Sequence, residues 1–182
     1  MKTALLLTGA PGTGKTTVIR KVARALAGRR VAGVIATEIR ARGERQGFRI
    51  ESLDGASEVL AHVRIRSPQR VGRYGVDVAA LDRVVETGLA PGAEVYLVDE
   101  IGKMECLSPR FVAAVEALLA AGTPLVATVA VRGGGFIERV KGRRGVELWT
   151  VSRTNRDALP ARILEWLASV SAAAPRAGKG RR

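Results

Sequence analysis

The sequence predicts an α/β protein of three layers, in which a mostly parallel β-sheet is covered by helices on both faces. Short apolar runs typical of buried strands alternate along the 182-residue chain with segments whose apolar residues recur at helical spacing. A glycine-rich loop follows the first of these strands, and two carboxylates end a later one. Ligands of such sheets bind at the carboxyl ends of the strands, so both features indicate a site at that edge.

The elements follow from the periodicity of the apolar residues. The strands are expected at residues 3–8, 31–39, 46–53, 94–98, 125–129 and 147–151. The helices are expected at residues 15–27, 77–87, 109–121 and 158–169. The second and third strands flank a break at residues 41–44, so we expect them to form a β-hairpin inserted after the first strand–helix unit.

Length and composition indicate one domain. A chain with 47% hydrophobic residues can bury one substantial core, so we expect a single domain over residues 1–170 and a basic, disordered tail over 171–182. The single cysteine, Cys106, excludes an intramolecular disulfide framework, and no run approaches membrane-spanning length. We therefore expect a cytoplasmic protein without membrane association. We expect it to be a monomer, with an oligomer left open.

The charge balance indicates partners that carry phosphate. A formal net charge of +13 produces a field that attracts phosphate groups, whether on a nucleotide or on a nucleic acid. Residues 40–73 hold eight arginines against four acids, and residues 132–156 hold seven basic residues against two acids. Charge alone does not decide between the two kinds of partner.

The most informative segment is a loop of the form Gly-x-x-x-x-Gly-Lys-[Ser/Thr]. Its residues are Gly9, Ala10, Pro11, Gly12, Thr13, Gly14, Lys15 and Thr16. In such a phosphate-binding loop, or P-loop, backbone N–H groups surround the α- and β-phosphates and the lysine reaches the β- and γ-phosphates. The final hydroxyl binds Mg²⁺. We therefore predict a nucleotide site in which Lys15 also acts in catalysis, Thr16 is a metal ligand and Thr17 contacts the nucleotide.

Two carboxylates end the apolar strand that precedes residue 99. In P-loop enzymes an aspartate at this position holds Mg²⁺ together with the loop hydroxyl, so Asp99 is the predicted metal ligand. Glu100 is the predicted general base or water-orienting group, because hydrolysis needs an acceptor near the attacking water. Loop and acidic pair together predict a P-loop NTPase.

The acidic segment leaves one ambiguity about the base. Residues 99–102 also fit the Asp-x-x-Gly pattern of GTPases, which carry in addition an Asn-Lys-x-Asp motif that reads guanine. The nearest candidate, Asn155-Arg156-Asp157, has a different second residue and a different spacing. We therefore favour broad nucleotide use over guanine specificity.

Five segments together resemble a known family. They are the loop at 9–16, the block Asp99-Glu100-Ile101-Gly102-Lys103-Met104-Glu105, and the segments at 45–48, 72–76 and 155–157. These segments look like the small nucleoside-triphosphatase family of thermophiles, also called the cancer-related nucleoside-triphosphatase family. The resemblance spans roughly residues 2–170, and the block at 99–105 is its most specific part.

The resemblance implies slow, Mg²⁺-dependent hydrolysis of ATP, GTP and other nucleoside triphosphates to the diphosphate and phosphate on a RecA-like sheet. It supports the roles given above to the loop and to the acidic pair. It also implies four further site residues, namely Lys103, Glu105, Asn155 and Arg156. The last two are candidates for base or ribose contact, since amide and guanidinium groups hydrogen-bond a base edge. Two alternatives stay open: Lys103 as a solvated loop lysine, and Asn155 as a cap of the final helix.

Two other functions are weighed against hydrolysis. A nucleotide or small-metabolite kinase is favoured by the arginine-rich segment 132–144, which has the composition of a mobile lid that supplies an arginine finger. A nucleic-acid-associated P-loop ATPase or GTPase is favoured by the net charge, although no helix-turn-helix, zinc or RNA-recognition motif is evident. We rank hydrolysis first, the kinase second and nucleic-acid association third.

Overall fold

Nine strands and five α-helices form three layers within residues 2–173, the part of the chain that the computed structural model describes. The strands are β1 (Ala4–Thr8), β2 (Val31–Ala41), β3 (Glu44–Ser52), β4 (Ser57–His62), β5 (Arg70–Val71), β6 (Tyr74–Val76), β7 (Val95–Ile101), β8 (Leu125–Val129) and β9 (Val146–Thr150). The helices are α1 (Lys15–Ala25), α2 (Val78–Gly88), α3 (Pro109–Ala121), α4 (Phe136–Lys141) and α5 (Leu159–Ala173).

All nine strands belong to one sheet, in the order β5-β6-β4-β3-β2-β7-β8-β1-β9. The pairings from β2 through β7, β8 and β1 to β9 are parallel. Strand β1, which leads into the P-loop, lies between β8 and β9, and β8 separates it from β7, which carries Asp99. The predicted α/β class and the placement of both motifs at one edge of the sheet are confirmed.

The antiparallel half of the sheet is larger than the sequence predicts. The expected hairpin forms from β2 and β3, and β4, β6 and β5 then extend it by further antiparallel pairing. Strand β2 belongs to both halves of the sheet. Its residues 31–35 pair with β7 in the parallel half, and its residues 34–41 pair with β3 in the hairpin. Strands β5 and β6 have two and three residues, which is too short for periodicity to reveal.

The core has two parts, one on each face of the sheet. Since alternate residues of a strand point to opposite faces, Leu5 and Leu7 pack with Val22 of α1. Leu6 packs on the other face in the cluster that contains Leu81 of α2. Helices α1 and α5 cover the first face and α2, α3 and α4 cover the second.

Two segments differ from the sequence prediction. The glycine-rich stretch after β8 contains helix α4, whose apolar residues Phe136, Ile137 and Val140 are buried; the sequence prediction gave this stretch no helix. Helix α5 continues to Ala173, three residues past the predicted domain boundary. The rest of the predicted tail, residues 174–182, lies outside the described residues. In the described part of the chain, no helix combines the length and apolarity that crossing a membrane requires.

Candidate active site

The loop at residues 9–14 connects β1 to α1 in a conformation that requires glycine. Gly12 and Gly14 have φ angles of 77° and 100°, in the left-handed region that strains residues with a side chain. Gly14 is the N-cap of α1, and no side chain bonds to this helix end. The first-turn N–H groups are therefore available to an anion, and the helix dipole favours negative charge there.

Lys15 projects from the start of α1 back over the loop. Its Nζ donates to the carbonyl oxygens of Gly9 and Ala10, at 2.9 and 3.4 Å. Its charge also favours the ionised forms of the Asp99 and Glu100 carboxyls and so acts to lower the pKa of each. The structure thus brings the predicted lysine and both predicted carboxylates into one site.

Asp99 is held in the interior by a neighbour on β8. It is 2% exposed, and its Oδ1 accepts a hydrogen bond of 2.6 Å from Thr128 Oγ1, which is fully buried. Burial raises the pKa of Asp99, while the hydrogen bond from Thr128 and the nearby hydroxyl of Thr16 act to lower it. Thr16 and Asp99 therefore lie close enough for their oxygens to interact.

This pair of oxygen groups fits a magnesium ion. Mg²⁺ prefers hard oxygen ligands and is usually held by one or two protein groups, with phosphates and water completing its octahedron. The Thr16 hydroxyl and the Asp99 carboxylate are such ligands. Within residues 2–173 no group of three His, Cys, Asp or Glu side chains gathers to hold a metal by itself.

Two glutamate carboxyls converge next to Asp99. A Cβ added to Gly102 would lie 2.8 Å from Glu105 Oε2 and 3.0 Å from Glu100 Oε1. Burial raises the pKa of Glu100, and Lys15 opposes this effect. Burial also raises the pKa of Glu105 to about 8, and the charges of Glu100 and Asp99 act in the same direction. Glu105 is therefore an interior carboxyl beside the acidic pair.

Lys103 is the exposed residue of the same segment. It follows Gly102 in the turn after β7, and no ion pair to it is formed within residues 2–173. The geometry leaves its charge available to solvent or to a ligand, so a contact with phosphate stays a prediction.

The two predicted base contacts are placed very differently. The Asn155 amide is occupied by the backbone, since its Oδ1 accepts from Ser152 N and its Nδ2 donates to Thr150 O, both at 2.9 Å. Asn155 therefore orders the loop after β9. Arg156 is exposed and lies over the P-loop, because a Cβ added to Gly14 would be 3.1 Å from its Cδ.

A cleft of about 260 Å³ opens beside this arginine. It is lined by Gly14, Thr17, Val18, Lys21, Arg156 and Asp157. Thr17 thus faces the cleft together with the guanidinium side chain, and Lys21 and Asp157 form an ion pair of 3.6 Å at exposed positions. Of the two predicted base contacts, only Arg156 borders a cleft next to the P-loop.

Two residues of this site are absent from the sequence prediction. Thr128 is one, and its signal is a hydroxyl inside an otherwise apolar strand. Arg20 is the other: its Nη2 donates to Thr37 Oγ1 at 2.6 Å, and its charge acts to lower the pKa of Asp99. Arg20 stands one helical turn after Thr16, and this spacing could have revealed it.

Two cations of the basic segment after β8 are paired within the fold. Arg139 pairs with Glu116 of α3 at 3.2 Å, and its Cζ lies 5.4 Å from the centre of the Phe136 ring. Lys141 donates to Val131 O at 2.9 Å and to Glu138 at 3.1 Å. These two cations are engaged within the segment and with α3.

Comparison with known proteins gives consistent matches over most of the chain. A family model described as NTPase matches residues 4–164. Nucleoside-triphosphatase THEP1 of Thermotoga petrophila is 38% identical over 163 residues, which cover 88% of this chain and 90% of that protein. The crystal structure of THEP1 from the hyperthermophile Aquifex aeolicus superposes with a TM-score of 0.76 at 30% identity, covering 90% of this chain and 98% of that one. For the solution structure of a human cancer-related nucleoside triphosphatase, the TM-score is 0.78 at 33% identity, with 91% and 97% covered.

Proposed function

Since this chain belongs to the NTPase family, whose relatives carry the name nucleoside-triphosphatase, we propose that it hydrolyses nucleoside triphosphates to the diphosphate and phosphate with Mg²⁺. One observation carries the proposal. The uncapped N-terminus of α1 and the Lys15 ammonium lie in the same site as two carboxylates, Asp99 and Glu100. That combination supplies phosphate binding, metal binding and a proton acceptor together.

Phosphate binding is assigned to the loop. The free N–H groups at the start of α1 donate to the β- and γ-phosphate oxygens. When the nucleotide binds, Lys15 gives up its hydrogen bonds to the carbonyl oxygens of Gly9 and Ala10 and donates to phosphate oxygens instead. Thr16 and Asp99 would hold Mg²⁺, which neutralises charge on the phosphate oxygens when bound. Thr128 fixes the Asp99 carboxylate through its hydrogen bond.

Glu100 is assigned as the general base. The water oxygen attacks the γ-phosphorus, the bond between this phosphorus and the bridging oxygen breaks, and Glu100 accepts the proton of the water. Burial raises the pKa of Glu100 and so strengthens the carboxylate as a proton acceptor, while the charge of Lys15 favours its ionised form. Glu105 and Gly102 fix the space in which this carboxylate lies.

Base specificity is proposed to be broad and turnover slow. The cleft beside the P-loop offers the Arg156 guanidinium, which can stack on any base. An arginine finger contributes about 10³–10⁵ to turnover in P-loop enzymes. Arg139, one arginine of the segment 132–144, is paired with Glu116 and is therefore not available as such a finger.

Location and assembly are proposed on composition. The single cysteine fits a reducing compartment, so we place the protein in the cytoplasm. A monomer contains every residue that this mechanism uses.

Phosphate release from ATP, GTP, CTP and UTP, with and without Mg²⁺ and with no second substrate, tests the proposal. We expect Mg²⁺-dependent release from all four. Lys15→Ala should lose most of the nucleotide affinity, and Glu100→Gln should bind nucleotide normally but lose about 10²–10⁴ in kcat. Glu86→Gln, an exposed glutamate paired with Arg110, is the matched control and should keep full activity.

Two outcomes would contradict the assignment. Full turnover in Glu100→Gln would remove this residue from catalysis. Tight nucleotide binding without phosphate release would favour phosphoryl transfer to a second substrate, and a screen of nucleosides and nucleotides as acceptors would then follow.

A further inference from the structure

A row of arginines, most of them without an acidic partner in the part of the chain described, lies at the far end of the antiparallel half of the sheet. This arginine edge consists of Arg42, Arg45, Arg64, Arg66, Arg70 and Arg73. They stand on the β2–β3 hairpin, on the loop from β4 to β5, and on edge strand β5 with the turn that follows it. Residues 59–76 contain four of the six and no aspartate or glutamate.

Most of these charges have no carboxylate partner. Elsewhere in the described chain, some exposed arginines pair with acids, as Arg83 does with Glu58 and Arg110 with Glu86. Within residues 2–173, the four arginines between 64 and 73 form no such ion pair, although all four are exposed.

The segments that carry the edge, residues 38–48 and 62–76, contain two acids. Glu38 pairs with Arg45 at 2.8 Å and with Arg40 at 2.6 Å, so it serves two cations. Glu44 is exposed at the start of β3. The edge therefore keeps a net positive charge.

Three of the six guanidinium groups have neutral partners. Arg73 donates to the carbonyl oxygen of Arg45, and Arg70 donates to that of Arg73 at 2.9 Å. The Cζ of Arg73 lies 5.4 Å from the centre of the Tyr74 ring, and that of Arg45 lies 5.2 Å from the centre of Phe48. Carbonyls and an aromatic face orient Arg70 and Arg73 without neutralising them, whereas Arg45 is also paired with Glu38. An anion that bridges Arg70 and Arg73 would therefore relieve their repulsion.

The loop that carries two of the arginines is tied to the sheet. Val63 N donates to Gln46 O and Val76 N donates to Gln69 O, both at 2.9 Å. Both ends of the segment 63–69 are thus fixed by backbone bonds, and Arg64 and Arg66 project from a supported loop. Such a surface is organised before a ligand arrives, which reduces the cost of binding.

We propose that the arginine edge binds the sugar–phosphate backbone of a nucleic acid without reading its sequence. Arginine matches phosphate geometry with two parallel N–H donors, and a row of arginines along an edge suits an extended polyanion better than a compact ligand. The aromatic rings cannot act as base-stacking platforms, because Tyr74 is 8% exposed and Phe48 packs against the core. The proposal does not depend on hydrolysis of nucleoside triphosphates.

Fluorescence anisotropy of a labelled oligothymidylate with the full-length protein tests this proposal. If the four unpaired arginines each contact one phosphate, affinity should fall about 50-fold between about 50 and 200 mM salt. Arg64→Gln/Arg66→Gln should reduce this fall to about sevenfold and weaken binding at low salt. The control, Arg143→Gln/Arg144→Gln, removes two neighbouring exposed arginines elsewhere and should behave like the wild type.

Both double variants are first checked for wild-type thermal unfolding, so that lost binding is not lost folding. Equal weakening in the two variants would overturn the proposal, because it would assign the binding to net charge or to the basic C-terminal residues. Absence of binding at low salt would overturn it too. So would binding to phosphatidylserine vesicles without binding to the oligonucleotide.

Discussion

Thr128→Val removes one hydroxyl and keeps the shape of the side chain. In the wild type this hydroxyl donates to Asp99 at 2.6 Å, and both groups are shielded from water. Valine removes one hydrogen-bond donor from the buried Asp99 carboxylate. Because the position is buried, a water molecule cannot replace this donor. The change therefore isolates the contribution of β8 to the metal site.

The magnitude follows from the geometry of this hydrogen bond. A hydrogen bond to a charged group contributes about 1.5–3 kcal/mol, and the added methyl group recovers up to about 1 kcal/mol by apolar burial. We expect the free energy of unfolding to fall by about 1–2 kcal/mol and the Tm by about 2–8 °C. Loss of a group that orients a metal ligand lowers metal affinity about 10–100-fold, so the Mg²⁺ concentration for half-maximal hydrolysis should rise by that factor.

Urea unfolding and a Mg²⁺ titration of phosphate release provide the measurements. Thr128→Ser is the matched control, since it loses the methyl group but keeps the donor, and it should retain the wild-type Mg²⁺ dependence. If Thr128→Val had the Mg²⁺ dependence of the wild type, or if both variants were shifted equally, the hydroxyl would have no role in holding Asp99.

Three further changes probe the rest of the site. Because the pKa of Glu105 is raised from 4.5 to about 8, the folded protein keeps a proton that the unfolded chain loses, and stability falls as pH rises between these values. In urea unfolding, the free energy of unfolding of Glu105→Gln relative to that of the wild type should increase by about 4 kcal/mol from pH 4.5 to pH 8. A difference between the two proteins that does not change with pH would contradict this. Gly102→Ala should lower kcat at least about tenfold by displacing the two glutamates, whereas Gly134→Ala, with open space around it, should not. Arg156→Ala should raise the KM of all four triphosphates about fivefold, and an effect on one base alone would disprove base-independent contact.

Features that depend on residues close together in the sequence were predicted well. Helix α3 has the predicted bounds because Ser108 caps it by accepting from Phe111 N, Pro109 begins it, and Gly122 ends it at a φ of 68°. The P-loop is predictable for the same reason, since its glycines and lysine are neighbours in sequence. The parallel order of β1, β8 and β7 places Asp99 at the same edge, as the alternation of strands and helices suggests.

What escaped prediction depends on contacts between distant residues. Thr128 and Asp99 are brought together only by the pairing of β7 with β8, and no local pattern encodes that pairing. Helix α4 has only six residues and follows three glycines, which disfavour a helix, so its short apolar pattern did not lead to a helix prediction. The chemistry of the Asn155 amide indicated a base contact, but its oxygen and its nitrogen are both hydrogen-bonded to backbone groups of nearby residues.

The position of β1 has a consequence for how the chain is made. Strand β1 leaves the ribosome well before its two sheet neighbours, β8 and β9, which lie at residues 125–129 and 146–150. The apolar run Ala4–Leu7 must therefore wait unpaired while more than a hundred residues are synthesised, a state that exposes it to aggregation. Nucleotide binding, which needs the loop after β1, should be among the last properties a nascent chain acquires, and release of the chain before β8 emerges should yield a product that cannot bind.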